Sequence, residues 1–187
     1  TPNTKFSDPD AWEKNVLLRA DDQRDGPDYE YEAIFEIMNN DVAALIPAAM
    51  NAPVTGYLND YFDADNLNAE IIAQINSGTL MVNYSGHGSI QVLANHKVTY
   101  QNIFNAADVD LLTNSTRDIE GGLSAPYPFF ISMSCLNGHF VYPEDWNYPS
   151  LAEALLRAED KGAAAALMST GQTTTEGQHI LDTALFD

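Results

Sequence analysis

Apolar residues recur along the chain in two alternating rhythms, short unbroken runs and i, i+3, i+4, i+7 spacings, which together predict strands interleaved with helices. Val16 to Leu18 is a short apolar run, and Tyr31, Ile34, Phe35 and Met38 follow at the spacing of a helix with one buried face. Val54 to Leu58 has strand composition. Ile71, Ile72 and Ile75 mark a second amphipathic helix that stops at Gly78, a residue suited to a left-handed C-terminal cap. Leu80 to Tyr84 and Phe129 to Met133 are continuous apolar runs, the pattern of central strands covered on both faces. Asn102 to Leu112 reads as a helix and residues 113–128 as a polar loop containing Gly and Pro. Ser150 and Glu153 form a capping box ahead of Leu151, Ala154, Leu155 and Ala158. Ala163 to Met168 then gives another buried strand, and Thr175 with Gln178 opens a last helix.

Strands alternating with helices place the chain in the α/β class, with a mainly parallel sheet between two helix layers: a three-layer α/β/α sandwich. Residues 1–13 are polar, with two prolines and no period, and read as a linker or the remnant of a preceding segment. Residues 14–187 form the single domain expected of a chain of 187 residues. Apolar residues make up 45% of the chain, enough to bury a core against the cost of ordering it. Charge narrows the partners. Twenty-seven acidic against 8 basic residues give a formal charge of -19, which repels nucleic acid and anionic membrane surfaces and favours calcium or basic peptides. No apolar run approaches the ~18 residues of a membrane-spanning helix. The single cysteine, Cys135, excludes an internal disulfide framework and any CxxC metal site.

In parallel sheets chemistry gathers beyond the carboxyl ends of the strands. The predicted strands lead there to Asp21 and Asp22, to Ser85-Gly86-His87-Gly88, to Ser134-Cys135, and to Ser169-Thr170-Gly171. A thiol becomes an acyl acceptor when a neighbouring group takes its proton, and histidine is the commonest such group. Cys135 and His87 suit that pairing, and the amides of Gly88 and Cys135 suit a developing oxyanion. A lone cysteine past a strand also serves as inert core filling, and a Gly-His-Gly segment also occurs as a plain tight turn.

The segments Leu80 to Ser89, Pro128 to Phe140 and Ser150 to Ala158 resemble, in that order, the gingipain-like cysteine peptidases, peptidase family C25, and the likeness extends from about Trp12 to Leu185. The resemblance implies a caspase-like fold and a cysteine endopeptidase. Cys135 is then the nucleophile, His87 the general acid/base, and Gly88 and Cys135 the oxyanion hole. It also implies that an acid after the first strand orients the imidazole, a position matched by Asp21 with Asp22 as competitor. An acid on the floor of the substrate pocket, selecting basic P1 side chains, is matched by Asp28, with Ser134, Ser169 and Thr170 as further pocket residues. Asp28 reads equally as a helix N-cap, and Asp21 as the start of a solvated acidic turn. Two departures are visible. Thr173-Thr174-Thr175 stands where arginine-reading relatives have an aromatic lid, and Ile90 to Leu93 where a tryptophan is common.

Relatives of this kind are secreted or at the cell surface, depend on calcium, and act on protein or peptide substrates. They carry further sequence on both sides, so a longer precursor, and a peptidase domain incomplete at its C-terminus, are expected. Calcium would be a structural ion, with none needed for the chemistry. Asp21, Gln23, Asp25, Gly26 and Glu32 occupy positions of a calcium-loop pattern, giving Asp21, Asp25 and Glu32 as candidate ligands, while Asp63 and Asp65 also fit a solvated acidic face. His96, His139 and His179 lack zinc spacing, with His139 a rival base or pocket-rim residue. Asn83 and Asn114 are glycosylation sequons, the first within a buried strand, and Arg117 is a candidate self-processing point. The alternatives are a non-catalytic calcium-binding interaction domain of the same fold, or a transpeptidase using the same dyad.

Overall fold

The computed structural model describes residues 11–22, 34–61, 64–94, 102–115, 127–141 and 148–187. Among these residues five strands form one sheet: β1 (Val16–Ala20), β2 (Val54–Tyr57), β3 (Met81–Ser85), β6 (Phe129–Met133) and β7 (Ala165–Met168). A two-stranded antiparallel ribbon, β4 (Val92–Leu93) with β5 (Phe104–Asn105), stands apart. The main sheet runs in the order β2-β1-β3-β6-β7, and every pair in it is parallel. The two continuous apolar runs are inner strands, as their composition predicts.

Among the described residues four helices cover the two faces: α1 (Ile34–Leu45), α2 (Ala64–Ser77), α3 (Leu151–Arg157) and α4 (Thr175–Phe186). Alternation along the strands assigns the faces. Leu17, Val82, Tyr84 and Phe130 share one large core with Leu67, Ile71 and Ile75 of α2 and Leu151 and Leu155 of α3. Ala20, Ile131 and Met133 face Phe35 and Met38 of α1, while Val16 and Leu18 meet Val42 of α1, and Phe186 of α4 packs against both groups. The result is the three-layer α/β/α sandwich, with all four described crossings of the main sheet parallel.

Several boundaries differ from expectation for local reasons. β1 runs on to Ala20 because Arg19 is buried within it, its Nη1 donating to the carbonyls of Leu18 and Val54. β2 ends at Tyr57, since Leu58 enters a 3-10 turn. The helix expected over 102–112 is instead β5 and a 3-10 turn, Asp108–Leu111. There Asn105 Oδ1 accepts from the amides of Ala107 and Asp108, and Asp108 Oδ2 accepts from the amide of Asn105. These side-chain bonds take the donors a helix would use. β7 starts at Ala165, because the amides of Ala163 and Ala164 are held by Leu155 and Pro128. The cap of α4 is Thr174, not Thr175, its hydroxyl accepting from the Gly177 amide. Gly78 has the left-handed φ of 106° that closes α2, and Ser150 and Glu153 form the reciprocal capping box of α3. Trp12–Lys14 forms a 3-10 turn.

Candidate functional site

The site begins with strand register. Ala20, Ser85 and Met133 are aligned across β1, β3 and β6, so the residues that follow them emerge side by side at one edge. The ladder continues one step further, with the Asp21 amide donating to Ser85 O at 3.0 Å and the Gly86 amide to Met133 O at 3.2 Å. In this strand order the chain reverses direction across the sheet between β1 and β3, the switch point at which parallel sheets leave a crevice. Asp21 and His87 flank it, and Cys135 follows the next strand.

Asp21 is buried, and its two oxygens are engaged by backbone. Oδ1 accepts from the Asp22 amide at 2.9 Å and Oδ2 from the His87 amide at 3.1 Å. The Tyr84 hydroxyl donates to His87 O at 2.7 Å, so both sides of the His87 peptide are fixed by groups from beneath the loop. Burial pushes the Asp21 carboxyl up to about 6, opposed by a positive His87 and by the two amides. The His87 ring meets Phe35 of α1 edge-on, centroids 5.2 Å apart at 79°. Asp22 is buried beside it and adds like charge to Asp21.

Cys135 is partly exposed at the end of β6. Leu136 after it adopts φ 64°, a left-handed conformation costing of order 1–3 kcal/mol in a side-chain-bearing residue, and turns the chain sharply there. Leu136 then donates to Gly171 O at 3.1 Å and Gly138 to Ser169 O at 2.8 Å, which ties the turn to the chain beyond β7. A Cβ on Gly138 would come within 2.6 Å of Met168 O, so only glycine permits this approach. The sulfur faces Thr173, just before α4, accepting from its amide at 3.4 Å. His87, against α1, and Cys135, against the approach to α4, thus meet the same helix layer.

A residue not singled out in the sequence joins the two loops. Asn137 is fully buried, its Nδ2 donating to the carbonyls of Ser89 and Val92, its Oδ1 accepting from the hydroxyls of Ser132 and Ser134. Gly88 packs into this staple so closely that a Cβ there would lie 2.7 Å from both Ser134 Oγ and Asn137 Oδ1. The neighbours of His87 and Cys135 are therefore in contact. Only the amide's place two residues past a predicted catalytic cysteine hinted at it, and an Asn in a turn has many commoner uses.

Ser134, Ser169 and Thr170 line one cavity of about 360 Å³ beside Thr173. Asp28, Asp25, Gln23, Gly26, Glu32, Asp63, His96 and Arg117 lie outside the described residues. Among the described residues no group of three or more His, Cys, Asp or Glu side chains is arranged to hold a metal. His139 bonds Thr170 O through Nδ1 at 2.9 Å, on the rim of the same loops, and His179 bonds Asp41 at 2.9 Å, linking α4 to α1. Asn83 and Asn114 are fully buried, and both amide atoms of Asn114 are bonded to Gly162, so neither presents a nitrogen for glycosylation. A second, more open depression of about 530 Å³ between α1 and α4 includes Asp41, Leu45 and Thr183.

Comparison with known proteins bears on the family and the fold. Gingipain R2 of Porphyromonas gingivalis is 35% identical over 92 residues, 49% of this chain and 10% of that protein. Gingipain R1 of the same organism is 34% identical over 92 residues, 7% of its length. The chain thus spans about a tenth or less of the curated relatives it matches. The crystal structure of the Arg-specific cysteine proteinase gingipain R superposes over 100% of this chain and 38% of that one, with a TM-score of 0.58 at 24% identity. A complex of pro- and mature domains from the same organism gives a TM-score of 0.61 over 40% of its chain, also at 24% identity, and these likenesses speak for the fold. The model of peptidase family C25 matches residues 3–187, and the chain belongs to that family.

Proposed function

We propose that this chain carries the catalytic centre of a cysteine endopeptidase, with Cys135 as nucleophile, His87 as proton carrier and Asp21 as the group that positions His87. The observation that carries the reading is the emergence of all three from adjacent, in-register strand ends at the crevice edge. In this reaction the Cys135 thiol loses its proton to His87 as sulfur adds to the scissile carbonyl carbon. The amides of Gly88 and Cys135 donate to the oxygen that becomes negative. His87 then returns the proton to the leaving amine, the C–N bond breaks, and a thioester remains. Water, giving its proton to His87, adds to the thioester and releases the acid and the thiol. Asp21 acts through the peptide it holds and through its charge when ionised, which favours imidazolium. No step passes through a metal; calcium, if bound, would act on the acidic surface as a structural ion. Substrates are peptides, and export of the enzyme is part of this reading. Arginine or lysine at P1 remains tied to Asp28.

The test is hydrolysis of fluorogenic peptides differing only at P1, with and without calcium and with an added amine. Cys135→Ala and His87→Ala should each lower kcat/KM about a thousandfold or more. Absence of turnover by the unaltered protein would favour an interaction domain, and amine-linked products would favour a transpeptidase.

A further inference from the structure

The sulfur of Cys135 has partners that a cysteine and histidine pair does not need. Among the described residues its hydrogen bonds all fall on Thr173, the residue before the cap of α4. The Thr173 amide donates to the sulfur at 3.4 Å, the Thr173 carbonyl stands 3.8 Å away within reach of the S–H, and the Thr173 hydroxyl lies at 3.7 Å. One residue therefore offers the thiol an acceptor and the thiolate two donors.

The direction of the hydroxyl is set from α4. Gln178, buried in the first turn of that helix, donates its Nε2 to Thr173 Oγ1. A hydroxyl that accepts there keeps its single proton for another partner, and within reach are the Ser134 carbonyl at 3.3 Å and the sulfur. Beside a neutral thiol the carbonyl is the better acceptor. A thiolate carries charge, and a charge-assisted bond is about twice as strong as a neutral one, so loss of the thiol proton turns the hydroxyl towards sulfur. Donors aimed at a sulfur favour its nucleophilic form. They act again at the end of a thioester's life: water adds and gives its proton to His87, the C–S bond breaks with its electron pair passing to sulfur, and His87 returns the proton. A sulfur met by donors leaves more readily in that step. Resting on the peptidase reading above, we propose that Thr173 is a further catalytic residue, holding the Cys135 thiolate through its amide and hydroxyl, and that Gln178 is the positioning residue that leaves the hydroxyl proton free for the sulfur.

Cys135 is the single cysteine of the chain, so alkylation by iodoacetamide reports on this sulfur alone and needs no substrate. Thr173→Val, at an exposed position, keeps the amide and the shape but loses the hydroxyl. At pH 6.5 it should be alkylated about threefold or more slowly than the parent, and at pH 9.5, above the ordinary thiol range, within about twofold of it. Thr173→Ser, which restores the hydroxyl, should recover about half or more of the lost rate. Gln178→Glu exchanges the donor for an acceptor that captures the Thr173 proton. It should slow alkylation at pH 6.5 as much as Thr173→Val does, and should slow the Thr173→Val protein no further. With fluorogenic peptides kcat/KM of Thr173→Val should fall about fivefold or more, chiefly in kcat. An unchanged rate at pH 6.5, or an equal loss at both pH values, would overturn the proposal, the second by showing that Thr173 governs only access to the sulfur. A Gln178→Glu loss as large in the Thr173→Val background as in the parent would show charge repulsion alone and remove Gln178. The expected alkylation with undiminished kcat/KM would overturn the catalytic role of Thr173. The expected alkylation without turnover of any peptide by the parent would keep the thiolate contact and sink the peptidase.

Discussion

The two faces of the sheet are built on different terms. The face under α2 and α3 is one continuous apolar core, in which Phe104 stacks on Phe130 with centroids 6.0 Å apart and the buried Arg19 side chain lies beside Tyr61 and Glu70. The face under α1 and α4 is divided into two smaller apolar groups, and buried polar side chains lie beside them. There Asn39 donates to Arg19 O at 2.6 Å, and Asn83 donates to Asn39 and to Asp182 of α4, both at 3.1 Å. Ser85 donates to the same Asp182 oxygen at 3.4 Å, while Asn83 Oδ1 and Asp182 Oδ1 find no partner among the described residues. His87 and Cys135 meet this second layer. The first face is the larger apolar core, with Arg19 as its buried exception, and the second gives up stability for a chain of polar groups near the candidate chemistry, which is where departures from local consistency are expected.

The sharpest way to separate the two is to remove one atom from one face and many from the other. Cys135→Ala should abolish peptide hydrolysis, by a thousandfold or more, with the melting temperature nearly unchanged because the sulfur is partly exposed and makes only long contacts. Phe130→Ala should do the opposite. It removes a fully buried ring from the continuous core and should cost about 4 kcal/mol by denaturant titration, whereas Ile131→Val on the other face should cost about 1 kcal/mol. A Phe130→Ala cost no larger than that of Ile131→Val would show that the faces do not differ as described.

The same division explains what could be read from the residues alone. Strands β3 and β6 were plain because a parallel strand covered on both faces is apolar at nearly every position, and the capping box of α3 because its partners are three residues apart. β1 looked two residues too short because Arg19 broke the run. Its burial shows only in three dimensions, where Nη1 reaches the carbonyls of Leu18 and Val54 and desolvation pulls the guanidinium down to about 10. The spurious helix over 102–112 arose because apolar spacing carries no trace of the Asn105 and Asp108 side chains that capture its amides. Cys135, His87 and Asp21 were legible because strand ends concentrate chemistry and because three segments matched a family in order. Asn137, Thr173 and Asp182 were not, since each acts through partners 38 to 99 positions away.

Asn137 offers a middle-sized test of whether the site edge is a built structure rather than two loops lying side by side. Asn137→Ala removes two donors to the His87-bearing loop and two acceptances from β6 and its turn. It should lower kcat 10- to 100-fold while KM for a good peptide changes less than threefold, because Asn137 does not line the cavity at the ends of β6 and β7. Asn137→Ser, which restores one donor and one acceptor, should recover part of kcat. Loss in KM alone would show that Asn137 shapes binding rather than the approach of His87 to Cys135.

The smallest effect concerns Asp182 and tests the polar face directly. Burial lifts its carboxyl from 3.8 to about 6, against the pull of the Asn83 and Ser85 bonds and of His179. Asp41 of α1 is bonded to that His179. The folded state therefore keeps a proton that the unfolded chain releases near pH 4, so stability falls as pH rises from 4 to 6, and the penalty is complete above pH 6. Asp182→Asn keeps an acceptor for Asn83 and Ser85, removes the charge, and puts a donor where Oδ1 is now unpartnered. At pH 8 it should raise stability by about 1 kcal/mol, less than the ~3 kcal/mol of a two-unit shift because the amide must itself stay dry. It should also flatten the slope between pH 4 and 6, leaving a remnant from Asp21, whose carboxyl is raised into the same window. Urea titrations of both proteins at pH 4.5 and pH 8 decide it. A variant no more stable than the parent at pH 8, with an unchanged slope, would mean that the charge on Asp182 is not what the α1 and α4 face gives up.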